Sequence, residues 1–132
     1  MLINLSNHPA YKIENGEKIY IWGEKQLIAA SGYGKIEDIP FPNIPPELST
    51  EEVSDLATAY LHKCEELIQS SINESAIHIT GEVTFCFVLI QMLLKKGYKC
   101  IAATSNRNVV TKDDGTKITI FEFEHFREYK MI

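Results

Sequence analysis

Large classes of protein are excluded by what this chain of 132 residues does without. It has only three cysteines, Cys64, Cys86 and Cys100, widely spaced and with no CxxC pair. That spacing provides neither a metal set nor a disulfide framework, and reads as buried free thiols in a reducing cytoplasm. The longest apolar run, Phe85 to Leu94, is about half of the roughly 20 residues needed to span a bilayer. The start, Met1 to Ser6, lacks the basic region and the apolar length of a signal peptide, so no membrane or export is expected. There is no Walker motif and no GxGxxG, which removes the usual signs of ATP or nicotinamide chemistry; no cofactor is expected. Basic residues are few, 13 against 18 acidic, for a net charge of −5. A protein that coats long DNA or RNA needs a broad basic face, so no long nucleic acid is expected as partner. A small anion is still allowed, because helix amino termini and one arginine can hold phosphate whatever the net charge. Internal repeats and low-complexity tracts are absent too, and the length fits one domain over residues 1–132.

What the chain does have is three short apolar runs that each stop at a small polar turn. Leu2 to Leu5 runs into Ser6-Asn7-His8-Pro9, Ala76 to Ile79 into Thr80-Gly81-Glu82-Val83-Thr84, and Cys100 to Ala103 into Thr104-Ser105-Asn106-Arg107. Runs of this length, separated by helical patterns, predict parallel strands of a small α/β sheet, where ligands bind beyond the carboxyl ends of the strands. The three turns are then expected to meet at one edge.

The remaining elements have local signatures. Asn15-Gly16 between Tyr11-Lys12-Ile13 and Lys18 to Ile21 predicts a hairpin inserted after the first turn, a candidate lid or dimer arm. A short helix over Gly23 to Ser31 is closed by Gly32 or Gly34, and Lys35 to Ile39 is a second strand. Pro40 to Pro46 holds four of the five prolines and predicts a rigid extended connection. Ser49 with Glu52 is a capping box, followed by Val53, Leu56, Ala57, Tyr60, Cys64, Leu67 and Ile68 at helical spacing. A helix from Thr84 to Lys96 ends at Gly97 and leads to a strand over Tyr98 to Ala103. Asp113-Asp114-Gly115 marks a second hairpin between Asn108 to Lys112 and Thr116 to Phe126. The order predicts an α/β, Rossmann-like, mostly parallel sheet flanked by helices, with an antiparallel carboxyl-terminal hairpin. The helix from Thr84 is apolar nearly all round, which calls for cover on its outer side. A second subunit in a two-fold dimer supplies that cover; the alternative is burial beneath the chain's own last hairpin.

Candidate chemistry lies in the turns. His8 is biased to extended backbone by Pro9, and its imidazole can act as general acid or base over the sheet edge; the alternative is a turn histidine bonding its neighbours. Gly81 permits a tight turn, and the amides beyond it can face an anion, unless this is an ordinary helix start capped by Thr84 or Thr80. Arg107 is a candidate bidentate phosphate clamp or a plain surface ion pair. Glu82 is a candidate base or partner of Arg107. His78, inside a strand, reads as structural, while His62 and His125 read as surface residues.

The stretch Ile3-Asn4-Leu5-Ser6-Asn7-His8-Pro9 resembles a group of stand-alone, Csx-type CRISPR-associated proteins. So do Trp22…Gln26 leading to Tyr33-Gly34, Phe41-Pro42, Gly81-Glu82…Thr84-Phe85 and Phe126-Arg127-Glu128-Tyr129. The group has a Rossmann-like fold related to the CARF domain and includes ring nucleases that linearise cyclic oligoadenylate. The resemblance implies that Ser6, Asn7 and His8 with Thr80, Gly81 and Glu82 line a site for that ligand, closed by Thr104, Ser105, Asn106 and Arg107. It implies metal-independent cleavage by the ring's own 2′-hydroxyl, with His8, Arg107 and Glu82 as catalytic candidates, on a homodimer. Two alternatives stand beside it: a CARF-like sensor or sponge that holds the ring uncut, and a Rossmann-type protein for another phosphorylated metabolite.

Overall fold

The chain alternates strand-forming runs with helical repeats, and in the computed structural model, which describes residues 1–69, 71 and 74–132, these become ten elements. They are β1 (Leu2–Ser6), β2 (Tyr11–Glu14), β3 (Glu17–Tyr20), α1 (Glu24–Ser31), β4 (Ile36–Pro40), α2 (Thr50–Gln69), β5 (Ala76–Ile79), α3 (Val83–Lys95), β6 (Lys99–Thr111) and β7 (Lys117–Glu128). Five strands form one sheet in the order β4-β1-β5-β6-β7, parallel except for β7. The result is the expected α/β, Rossmann-like architecture.

Strand alternation sorts the core into two layers. Ile3, Leu5, Ile77, Ile79 and Cys100 face α2 and α3, where Val53, Ala57, Phe85, Leu89 and Leu93 meet them. Leu2, Ile36, Ala76 and Ile101 face the other way, toward Trp22, Ala30 and Leu27 of the α1 layer. The helix α2 starts on the expected capping box: Ser49 N–H donates to Glu52 Oε1 (3.2 Å) and Glu52 N–H to Ser49 Oγ (3.1 Å). Gly34, at φ +84°, provides the left-handed residue after α1, whereas Gly32 stays right-handed.

The inserted hairpin forms as expected, with Asn15 and Gly16 both at positive φ, the signature of a type I′ turn. It is pinned rather than free. Lys18 Nζ donates to Ile36 O (2.7 Å) and pairs with Glu37, and Tyr11 Oη bonds Glu37 (3.3 Å). These contacts place it against β4, the outer strand of the sheet, where it blunts an open edge.

One expectation fails, and so does the alternative given for the cover of α3. The strand over Tyr98 to Ala103 does not stop: β6 continues to Thr111, so Thr104 to Arg107 are strand, not turn. Ser105 pairs with Phe123, Asn106 with Glu122 and Arg107 with Phe121, after a bulge at Thr104/Ser105. Nor does the last hairpin bury α3. Val83 and Phe87 remain 77% and 62% exposed, and the hairpin extends beyond the sheet as an arm. Among the described residues, no helix is long and apolar enough to cross a membrane.

Candidate functional site

Chain direction reverses between β1 and β5. From β1 the chain passes through α1 on one face to β4; from β5 it passes through α3 on the opposite face to β6. The loops leaving the two strands therefore part, and a crevice opens between Ser6-Asn7-His8 and Thr80-Gly81-Glu82, the place where ligands bind in open α/β sheets. Two of the three polar turns meet there. The third does not exist as a turn.

Beneath the first loop lies a row of polar side chains that hydropathy alone conceals. Asp38, Asn4 and His78 occupy one register row across β4, β1 and β5. Asn4 is 1% exposed and satisfies every hydrogen-bonding position of its amide. Its Nδ2 donates to Asp38 Oδ1 (2.8 Å) and to the His8 carbonyl (3.0 Å). Its Oδ1 accepts from Ser6 Oγ (2.9 Å) and lies 2.8 Å from His78 Nδ1. Because that oxygen can only accept, His78 carries its proton on Nδ1 and presents a lone pair at Nε2. The Asp38 carboxylate also accepts from the backbone N–H of Ala10 and Tyr11.

The network fixes the backbone of the first loop while leaving its side chains free. Ser6 Oγ accepts from His8 N–H (3.2 Å) and lies 3.1 Å from His8 O, and the Asn7 and His8 side chains are exposed. Preorganised backbone carrying an exposed imidazole is the arrangement that acid–base work requires. His78 lies under it, edge-on to Trp22 and Phe126 with ring centroids 5.7 and 5.6 Å away. Burial, and then the charge of His8, lower its pKa to about 4, so it is neutral under ordinary conditions. Its Nε2 is buried with no hydrogen-bond partner among the described residues. The structural role read for His78 holds, but it is the support of the loop rather than an isolated core residue.

The second loop is built differently from expectation. Glu82, not Thr84 or Thr80, caps α3: its carboxylate accepts from Thr84 N–H (3.0 Å), Phe85 N–H (2.8 Å) and the Thr84 hydroxyl. The hydroxyl of Thr84 and the amide of Phe85 hold that carboxyl below its ordinary range. The amides proposed as an anion cradle thus already face an anion belonging to the chain. Gly81 is required by close approach, since a Cβ there would lie 2.3 Å from the Phe41 ring. Phe41 in turn packs edge-on against Phe85 at 5.3 Å. Between the two loops Asn7, Phe41, Pro42, Asn43, Ile44 and Glu82 line an open hollow of about 370 Å³. That is the small end of ligand clefts.

The other candidates fall outside the crevice. Arg107 is exposed on the arm and its guanidinium makes no hydrogen bond or ion pair among the described residues; it does not pair with Glu82. Thr104 Oγ1 bonds the His125 backbone (3.0 Å), and Asn106 Nδ2 bonds Glu124 (2.7 Å), so both brace the bulge. Ser105 is exposed opposite Phe123. Sequence reasoning missed Asn4, Asp38 and Trp22 as the supports of the site. The available signal was an amide in the middle of an otherwise apolar strand, a polar group that burial would make costly unless paired. No cluster of three metal-ligating side chains occurs among the described residues.

Residues remote in the chain come together here, whereas Tyr33-Gly34 lies at the other end of the sheet, where Tyr33 O accepts from the Met1 amino group. Asn4 to His8, Trp22, Phe41, Gly81 to Phe85 and Phe126 surround the crevice or its floor, and Tyr129 Oη bonds Ile79 O (3.1 Å) at the end of β5. No curated protein matches the chain, and no solved structure does. Residues 1–127 match one family along nearly their whole length, and the chain belongs to it: the Uncharacterized protein MJ1673 family.

Proposed function

We propose that this chain binds a cyclic oligoadenylate over the β1/β5 crevice and opens it without a metal, as a cytoplasmic ring nuclease of the CARF-like, CRISPR-associated kind. One observation carries the reading: the backbone of His8 is tied down by Asn4 and Ser6 at the switch point of the sheet while its imidazole stays exposed. In the reaction the ribose 2′-oxygen attacks the adjacent phosphorus in line, and the bond from phosphorus to the 5′-oxygen breaks. The products are a 2′,3′-cyclic phosphate and a 5′-hydroxyl. His8 takes the 2′-hydroxyl proton or gives one to the leaving 5′-oxygen, and Asn7, Thr80 and Asn43 offer neutral donors to the phosphate. Positioning supplies most of the acceleration in such a step. A ring with rotational symmetry also suits two crevices related by a two-fold axis.

Incubation of the purified protein with cyclic tetra-adenylate in EDTA is expected to give linear product ending in a 2′,3′-cyclic phosphate. His8→Ala is expected to lower kcat by about 100-fold or more with binding retained. Absence of both binding and cleavage across several ring sizes would refute the proposal.

A binding-only role, as sensor or sponge, is favoured by one feature. Glu82, the other ionisable group in the crevice, has both carboxylate oxygens committed to α3. A tight complex with intact ring, unchanged by His8→Ala, would establish it instead.

A further inference from the structure

The β6–β7 arm is an unusual object for a small protein to leave in water. β5 pairs with β6 only as far as Ile101, and from Ser105 to Thr111 the ribbon consists of β6 and β7 alone. Near its base Phe121 to Phe123 adjoin the start of α1, and the last four residues of β6, Asn108 to Thr111, extend about 13 Å beyond the body at strand rise. A two-stranded ribbon by itself is marginal in water. This one also carries apolar residues on both faces. Val109 and Phe121 lie on one, at 56% and 68% exposed; Val110, Ile118 and Ile120 lie on the other, at 45%, 37% and 41%.

A second uncovered apolar surface lies on the same chain. Val83 and Phe87 form an exposed ridge on α3. Apolar hollows of about 450 and 750 Å³ flank it, the first along Cys86, Ile90 and Leu94, the second along Ile44, Leu48 and Val88. The ridge begins at the carboxyl edge of the sheet, from which the arm also departs. The helix returns along the sheet while the arm runs away from it, so a chain cannot lay its own arm on its own ridge.

We propose that the arm is a clasp for a second copy of this chain, each arm lying along the α3 ridge of the other copy in a two-fold exchange. One symmetric contact then covers both surfaces twice, which is the economy of an isologous interface. One face of the arm, Val110, Ile118 and Ile120, together with Val83 and Phe87 of the ridge exposes roughly 500 Å² per copy, and the exchanged pair of contacts reaches the roughly 1,000 Å² in total that a specific interface needs. The clasp rests on these surfaces alone and stands apart from the identity of the ligand.

Size-exclusion chromatography with light scattering on the whole chain, 15.0 kDa, is expected to give a dimer of about 30 kDa. Ile118→Lys on the arm and Phe87→Asp on the ridge change exposed positions, so each is expected to keep the wild-type circular dichroism and to run as a monomer. Mixing the two monomeric variants is the decisive measurement. Their heterodimer contains one unaltered arm–ridge contact and one lysine–aspartate pair, and is expected to re-form. Glu51→Lys, on the exposed side of α2, is expected to remain dimeric. A monomeric wild type, a dimer indifferent to either variant, or no association on mixing would each overturn the clasp. In the second case the dimer belongs to another face, and in the third the arm and the ridge do not meet.

Discussion

Acidification is expected to weaken this fold through His78 before most of its carboxylates respond. The imidazole is 4% exposed, its Nδ1 proton is committed to Asn4 Oδ1, and its Nε2 lone pair has no partner among the described residues. Burial first, and the neighbouring His8 second, lower its pKa from 6.5 to about 4. Between those values the unfolded chain takes up a proton that the folded chain refuses. Stability is therefore complete above about pH 6.5 and is lost as pH falls toward 4. From pH 7 to pH 4.5 the loss is about 2 kcal/mol, with a slope approaching 1.4 kcal/mol per pH unit. The Glu82 carboxyl, lowered by its bonds to Thr84 and Phe85, stabilises above its unfolded value of 4.5 and withdraws only below it. The two effects occupy different windows. Urea unfolding at a series of pH values, wild type against His78→Leu, isolates the histidine. The variant's stability at neutral pH is immaterial; its pH slope between 4.5 and 6.5 is expected to be shallower by up to one proton. Parallel slopes in that window would refute the assignment. His8→Ala removes the second cause of the shift, and is expected to reduce the acid loss without abolishing it.

Four further outcomes follow from the same geometry. Gly81→Ala drives a methyl into the Phe41 ring and is expected to cost about 1–3 kcal/mol; in a Phe41→Leu background the cost should shrink, read as a double-mutant cycle by thermal unfolding. Asn4→Leu strands the His78 Nδ1 proton and takes one donor from the Asp38 carboxylate, which keeps the Ala10 and Tyr11 amides, and is expected to cost about 2–3 kcal/mol and to accelerate amide exchange at His8 and Ala10. Glu82→Ala removes the cap of α3, with an expected loss of about 1 kcal/mol in urea unfolding; a fall in turnover far beyond that would make Glu82 a base instead. Burial raises the thiols of Cys64 and Cys100 to about 12 and Cys86 to about 11. Iodoacetamide near pH 8 is thus expected to label none of the three in the folded chain and all of them in denaturant.

The elements that the sequence made legible are those with local causes. Asn15-Gly16 adopts the turn its chemistry demands, Ser49 and Glu52 close their capping box, and Val53, Ala57 and Cys64 point inward from α2 at the spacing of a helix. The strands β1, β4 and β5 stop where their apolar runs stop. The prediction that α3 has more apolar surface than its own sheet can bury also came from periodicity, and Val83 and Phe87 are the residues left uncovered.

The misreadings share a different cause. Thr104 to Arg107 have the composition of a turn, yet they extend as strand because β7, remote in the chain, supplies the pairing. Glu82 resembles a base or an ion-pair partner until the start of α3 turns the Thr84 and Phe85 amides onto it. Asn4 looks like an interruption of an apolar run, and acquires its role only when Asp38, 34 positions away, and His78, 74 positions away, align beside it.

By itself, then, the sequence determined the α/β class, the order of its elements, the capping box of α2, and the presence of His8 in a polar turn after the first strand, since these depend on contacts within a few residues. Tertiary structure alone decided which turns share a crevice, that Arg107 sits on an arm instead of at that crevice, and that a buried row across three strands holds His8 in place. Each of those depends on which strand lies beside which, and such pairing joins residues that no local pattern relates.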